Sequence, residues 1–154
     1  MARKELAQVL NELLMKLEDG RKAFMLAAER CAAPELKAIL VECAHDCTRS
    51  LHDLQKGVHA FGEASAERGS VFGTLRQGGA RLWAKLGLTG TAAVLGHVER
   101  QYARIEQAFV AALAADLPPP ERAMVEKERA RVRGIARRLA ALRRDQGATR
   151  ARTG

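Results

Sequence analysis

Aromatic residues are scarce in this chain: one Trp, one Tyr and four Phe, 4% of 154 positions. Sheets are filled by aromatic and β-branched side chains, whereas the abundant Ala, Leu, Arg and Glu favour helix, so the shortage argues against a β architecture. Cysteine is also sparse. Three residues without a framework spacing make no disulfide scaffold, and in a reducing compartment they stay as thiols. Long apolar runs are missing as well. The longest, from Ala108 to Ala115, is far short of the roughly 20 residues a membrane helix needs. The opening MARKELAQVLNELL is basic, but Gln8, Asn11 and Glu12 interrupt its apolar residues, so no signal-peptide core is expected. These absences predict a cytoplasmic protein with no membrane contact. No nucleophile stands beside a base, and no Gly-rich phosphate loop precedes a helix; Gly78-Gly79 only punctuates a connection. Neither an enzyme nor a cofactor is expected.

What is present is helical periodicity. With 47% hydrophobic residues the chain can fill one core. Leu6, Leu10, Leu13, Leu17, Gly20, Phe24, Ala27 and Cys31 recur at steps of three and four, which predicts a first helix from about Arg3 to Cys31. After Ala32-Ala33, Pro34 and Glu35 suit the first turn of a second helix. Its stripe is Leu36, Leu40, Cys43, Cys47, Leu51, Leu54 and Val58, fading at Phe61-Gly62. The passage GEASAERGS reads as loop, and Val71, Leu75, Leu82, Trp83 and Leu86 suggest a short amphipathic helix within the connection. About thirty residues separate the second and third helices. A hairpin needs only a few, whereas thirty can travel a bundle roughly 36 Å long.

The third helix, about Thr91 to Asp116, uses Leu95, Val98, Tyr102, Ile105, Phe109 and Leu113. Pro118 to Pro120 then exclude helix, and a fourth begins at Glu121 with Val125, Val132, Ile135, Leu139 and Leu142 inside. The predicted fold is all-α: a ferritin-like four-helix bundle of two αα-hairpins joined by a long crossover containing a short helix. The bundle is placed at residues 1–145, with 146–154 as a flexible basic tail.

Several short stretches, in this order, also resemble a known family. They are Leu17-Glu18-Asp19-Gly20 with Phe24 and Ala27-Ala28, Pro34-Glu35-Leu36-Lys37, Leu54-Gln55, Gly69-Ser70, Trp83, Leu88-Thr89-Gly90, Glu99-Arg100 and Asp116-Leu117-Pro118. From about Leu10 to Asp145 the chain resembles a bacterial family of ferritin-like four-helix-bundle proteins recorded as a domain of unknown function. The resemblance implies a fold and a bacterial cytoplasmic setting, and no established activity. Members that look more like metal binders tend to have Gly-Glu where this chain reads Gln101-Tyr102, a His or Arg near Cys47, and a His near Ala136. None of these positions carries a hard ligand here.

A metal question arises because Glu42 and His45 form a Glu-x-x-His pair, the ligand pair that di-iron bundles repeat on two helices. At about 100° per residue, Glu42 points about 140° and His45 about 160° away from the centre of the second helix's apolar stripe. Both should face solvent, placed to pair with each other. By the same arithmetic Glu18 and Asp19 lie off their stripe and Glu99 and Glu106 on the flanks of theirs. One inward carboxylate remains, Glu128, between Val125, Val132 and Ile135. Ionising it alone in a core would cost several kcal/mol. Either it accepts a hydrogen bond from Tyr102, or it sits near a bundle end and reaches outward to water. No complete di-metal site is expected. Cys31, Cys43 and Cys47, all on inner stripes, are the remaining candidates for a soft ion such as Cu(I) or Zn2+.

Charge is the last feature. The net +8 is concentrated: residues 121–154 hold eleven Lys and Arg against four Asp and Glu. Arg129, Arg131, Arg133, Arg137, Arg138, Arg143 and Arg144 leave one face of the fourth helix positive, with Arg150 and Arg152 beyond it. Such a surface attracts phosphates, which makes a non-specific nucleic-acid or acidic partner an alternative function; a metal-binding bundle is the other. The bland account is solubility, with acids at the helix start and arginines toward its end as the dipole favours. The first reading is a non-catalytic structural or interaction module, compatible with a homodimer.

Overall fold

A computed structural model describes residues 3–59 and 90–153. Among these residues there are four helices and no strand: α1 (Arg3–Arg30), α2 (Pro34–His59), α3 (Thr91–Ala114) and α4 (Pro119–Thr153). The short helix expected between Val71 and Leu86 lies outside the described residues.

Helix α1 packs on α2 and α3, and α4 packs on the same two, so the helices form a ring with α1 and α4 on one diagonal. Direction follows from the residue pairs that meet. Arg131 reaches Asp53 while Arg138, further along α4, reaches Asp46, nearer the start of α2. Arg129 meets Glu106 while Arg143 meets Glu99, so α4 runs antiparallel to both neighbours. Helices α2 and α3 therefore run in the same sense. The end of α2 and the start of α3 lie at opposite ends of the bundle, as the long separation in sequence requires.

The interior is built from the expected rows. Every member of the α2 stripe is buried, as are Leu10, Leu13, Leu17 and Phe24 from α1, Leu95, Val98, Ile105 and Phe109 from α3, and Val125, Val132 and Ile135 from α4. Fully burying side chains of this size is worth about 1.5–3 kcal/mol each. Gly20 permits the close approach of α1 and α3, because a Cβ there would stand 2.3 Å from Ile105 Cδ1. At the α3–α4 hairpin, Arg122 donates to the carbonyls of Leu113 and Ala115, both at 3.1 Å, and so satisfies acceptors left open by the end of α3.

Two boundaries differ from expectation. Pro119 and Pro120 stand inside α4 rather than before it, since first-turn residues need no N–H donor, and the ladder starts with Arg122 N–H to the carbonyl of Pro118 at 2.9 Å. Helix α4 also does not stop at 145 but continues to Thr153. Gln, Ala and Arg in QGATRAR are good helix formers, and the single Gly147 costs only about 1 kcal/mol.

Candidate functional site

The polar side chains that the helices bring together lie along the two seams of α4. Toward α2, Glu128 is 1% exposed and Ser50 is fully buried; the Ser50 hydroxyl donates to Glu128 Oε2 at 2.8 Å. Arg131 Nη1 lies 3.0 Å from the same oxygen and 2.9 Å from Asp53 Oδ2. Burial pushes the Glu128 carboxyl above its ordinary range, opposed by the Ser50 hydrogen bond and the Arg131 charge. The hydrogen bond from Arg131 holds Asp53 below its ordinary value. Two turns away, Asp46, 6% exposed, takes Arg138 as partner, with Arg49 3.4 Å from its other oxygen and Glu42 3.7 Å from Arg138.

Both readings of Glu128 are therefore corrected. It neither bonds Tyr102 nor snorkels to water; its partners are Ser50 and Arg131. Tyr102 is half-buried on the other seam, where burial and the Glu106 carboxylate raise its pKa. Glu42 and His45 are exposed, as the rotational arithmetic predicts, but Glu42 faces Arg138 rather than pairing with His45. Glu128 is not the sole inward acid, because Glu18, Asp46 and Glu121 are buried too. Glu18 binds its own Arg21, with Nε to Oε2 at 2.9 Å. The arithmetic assumed one buried face per helix, whereas each helix here touches two neighbours and buries a wider sector. Ser50 had a weaker readable signal: its angle falls at the edge of the α2 stripe, about 20° beyond Cys43. Gln101 and His97 are buried on α3, and burial lowers the His97 pKa.

The thiols do not converge. Cys43 and Cys47 are fully buried, and burial pushes Cys43 up to about 12 and Cys47 higher still. Cys31 is only half-buried, its Sγ donating to the carbonyl of Ala33 at 3.7 Å. Among the described residues no group of three or more His, Cys, Asp or Glu side chains is placed to hold a metal ion. A di-metal centre of the kind ferritin-like bundles carry does not fit these donors: Oε2 of the buried Glu128 is held by a hydroxyl and a guanidinium, and no His, Cys, Asp or Glu group among the described residues gathers around it to hold a metal.

Toward α3 the balance of charge is different. Arg129 Nε donates to Glu106 Oε1 at 3.0 Å, Arg133 lies 3.9 Å from that oxygen, and Arg143 pairs with Glu99. Arg137 and Arg144 are exposed on the same side and make no ion pair with a described carboxylate. Arg150 falls within the helical span of α4, and Arg152, also on it, is exposed. An open cleft of about 600 Å3 between α1 and α3, lined by Met15, Lys16, Arg104 and Ala108 among others, receives none of these residues. No described helix is long and apolar enough to cross a membrane.

No curated protein matches the chain. Residues 5–115, which reach from the first turn of α1 through α3, match the family model described as Domain of unknown function (DUF2383). That match spans most of the chain, which therefore belongs to this family, a domain without an assigned function.

Proposed function

We propose that the protein is a non-catalytic helical bundle of ferritin-like connectivity, a cytoplasmic structural or interaction module of bacterial type whose interior is scaffold. The observation that carries this reading is the state of the central polar groups. Glu128, a buried carboxylate of α4, is held at Oε2 both by the Ser50 hydroxyl and by a guanidinium of its own helix. The nearest inner thiols are held protonated by burial. The parallel sense of α2 and α3, with a long connection between them, supports ferritin-like connectivity.

Elemental analysis of untagged protein after dialysis, with its mass in solution, tests the reading. The expected result is no transition metal in stoichiometric amount; one or two ions retained per chain would overturn it. The mass also tells a monomer from a homodimer. A second reading, a basic module that binds through α4, is favoured by the surplus of arginine on one seam.

A further inference from the structure

We infer that the α3-facing edge of α4 is a docking surface for the phosphate backbone of duplex nucleic acid, formed by Arg133, Arg137 and Arg144 together with Arg143 and, from α3, Arg100. The inference rests on the interaction-module reading and names its partner. Its basis is the way α4 divides its arginines. At 100° per residue, Arg131 and Arg138 point toward α2, Arg129 and Arg143 toward α3, and Arg133, Arg137 and Arg144 lie on the outer surface of α4 on its α3 side. The contacts agree: Arg131 and Arg138 meet Asp53 and Asp46, Arg129 and Arg133 approach Glu106, and the charge of Arg137 acts on Tyr102 of α3. On the α2 side, Glu42, Asp46, Asp53 and Glu128 outnumber the arginines of α4. On the α3 side three of the five arginines, Arg129, Arg133 and Arg143, share Glu99 and Glu106, and Arg137 and Arg144 add to the surplus.

The surplus is arranged in a line. Arg133, Arg137 and Arg144 fall within about 40° of one another around α4, spaced about 6 Å and about 10 Å along its axis. Ala130 and Ala140 stand on the same edge, and Glu126, two turns before Arg133, marks its N-terminal limit. The Arg133 side chain is 55% exposed. Arg100 Nη1 and Arg143 Nη2, from two helices, come within 3.4 and 4.0 Å of the point where a Cβ on Gly96 would stand. Arg143 pairs there with Glu99, and Arg100 brings a second guanidinium to the same place.

The character of the edge selects among anionic partners. An inserting membrane helix needs bulky apolar residues beside its cations, and a protein interface needs an apolar anchor; this edge offers alanines. Stacking single-stranded bases needs exposed aromatics, and Tyr102 is half-buried. A rigid row of guanidinium groups without either suits a duplex, whose phosphates present about one charge per 1.7 Å of axis, read without sequence preference.

The test is fluorescence anisotropy of the full chain with a random-sequence duplex over a range of salt concentrations. The expected slope of log K against log salt is about −3 to −4, from about four phosphates neutralised. The double variant Arg137→Ala/Arg144→Ala should flatten that slope by about two while melting like the parent, and Lys37→Ala/Lys56→Ala, on exposed positions of α2, should leave it unchanged. Equal losses in the two double variants, no duplex binding at low salt, or tighter binding to polyglutamate or phosphatidylserine vesicles would each overturn the inference. Retained metal would instead remove the scaffold reading and leave the duplex result as measured.

Discussion

The two seams of α4 are made from the same residue types and behave as opposites. Against α2, acids buried to 1% and 6% exposure are closed off by Ser50, Arg131 and Arg138. Against α3, Glu99 and Glu106 stay partly exposed, and arginine is left over. Burial is what separates them. A carboxylate that loses its water must be satisfied by the protein, which makes its partner structural, whereas an ion pair at 39% and 43% exposure stays solvated and is worth little. A positive face on α4 is thus half fastener and half free surface.

The largest difference should appear in thiol chemistry, because Cys43 lies beside the Arg138–Asp46 pair. At mild alkaline pH a thiol reagent should label Cys31 first, with Cys43 and Cys47 slower by a factor on the order of 100 or more until the chain unfolds. Fast labelling of all three would show that the α2 seam opens readily. Next, Glu128→Ala should cost about 3 kcal/mol in urea unfolding, from a truncated buried side chain and the orphaned Ser50 hydroxyl. A double-mutant cycle with Ser50→Ala should return a coupling of about 1 kcal/mol. A loss as small as a surface change would erase the distinction between the seams.

Asp46→Asn should cost about 2 kcal/mol, less than a fully buried pair because the Arg138 side chain is 37% exposed. The pH response sharpens the contrast within the α2 seam. Glu128 has a raised folded pKa, so stability drawn from it falls as pH rises past the ordinary Glu range, where the unfolded chain ionises first. Urea midpoints of Glu128→Gln should therefore gain on the parent between about pH 4 and neutrality. Asp53 is depressed, so its contribution is present above the ordinary Asp range and lost as pH falls through the folded value; Asp53→Asn should remove that acid-side loss. The smallest effect belongs to the open seam: Glu99→Gln should change stability by under about 0.5 kcal/mol, and less in high salt.

Much of this was legible beforehand. The inner rows, apart from the half-buried Cys31, Tyr102 and Leu113, and the outward direction of Glu42 and His45 follow from a period of 3.6, and Pro34 as the start of α2 from its fit to a first turn; these hold in the structure. Asp46 and Glu18 were missed because a single helix viewed alone has one apolar face, while a bundle presses two neighbours against it. The continuation of α4 past Asp145 is not legible in its polar composition, because the helix propensity of Gln, Ala and Arg there outweighs the lack of an apolar stripe. The arginines were visible as a group, but not their division between two neighbours, since that depends on where Asp46, Asp53, Glu99 and Glu106 come to rest.

Local sequence decided which segments coil and which side chains turn inward, because both depend on neighbours three and four positions away. Only the folded chain decided who meets whom across the seams: Ser50 and Glu128 are 78 positions apart, and their bond exists because α2 and α4 pack antiparallel in one register. That register is set by the fit of whole helices, a property no single stretch carries.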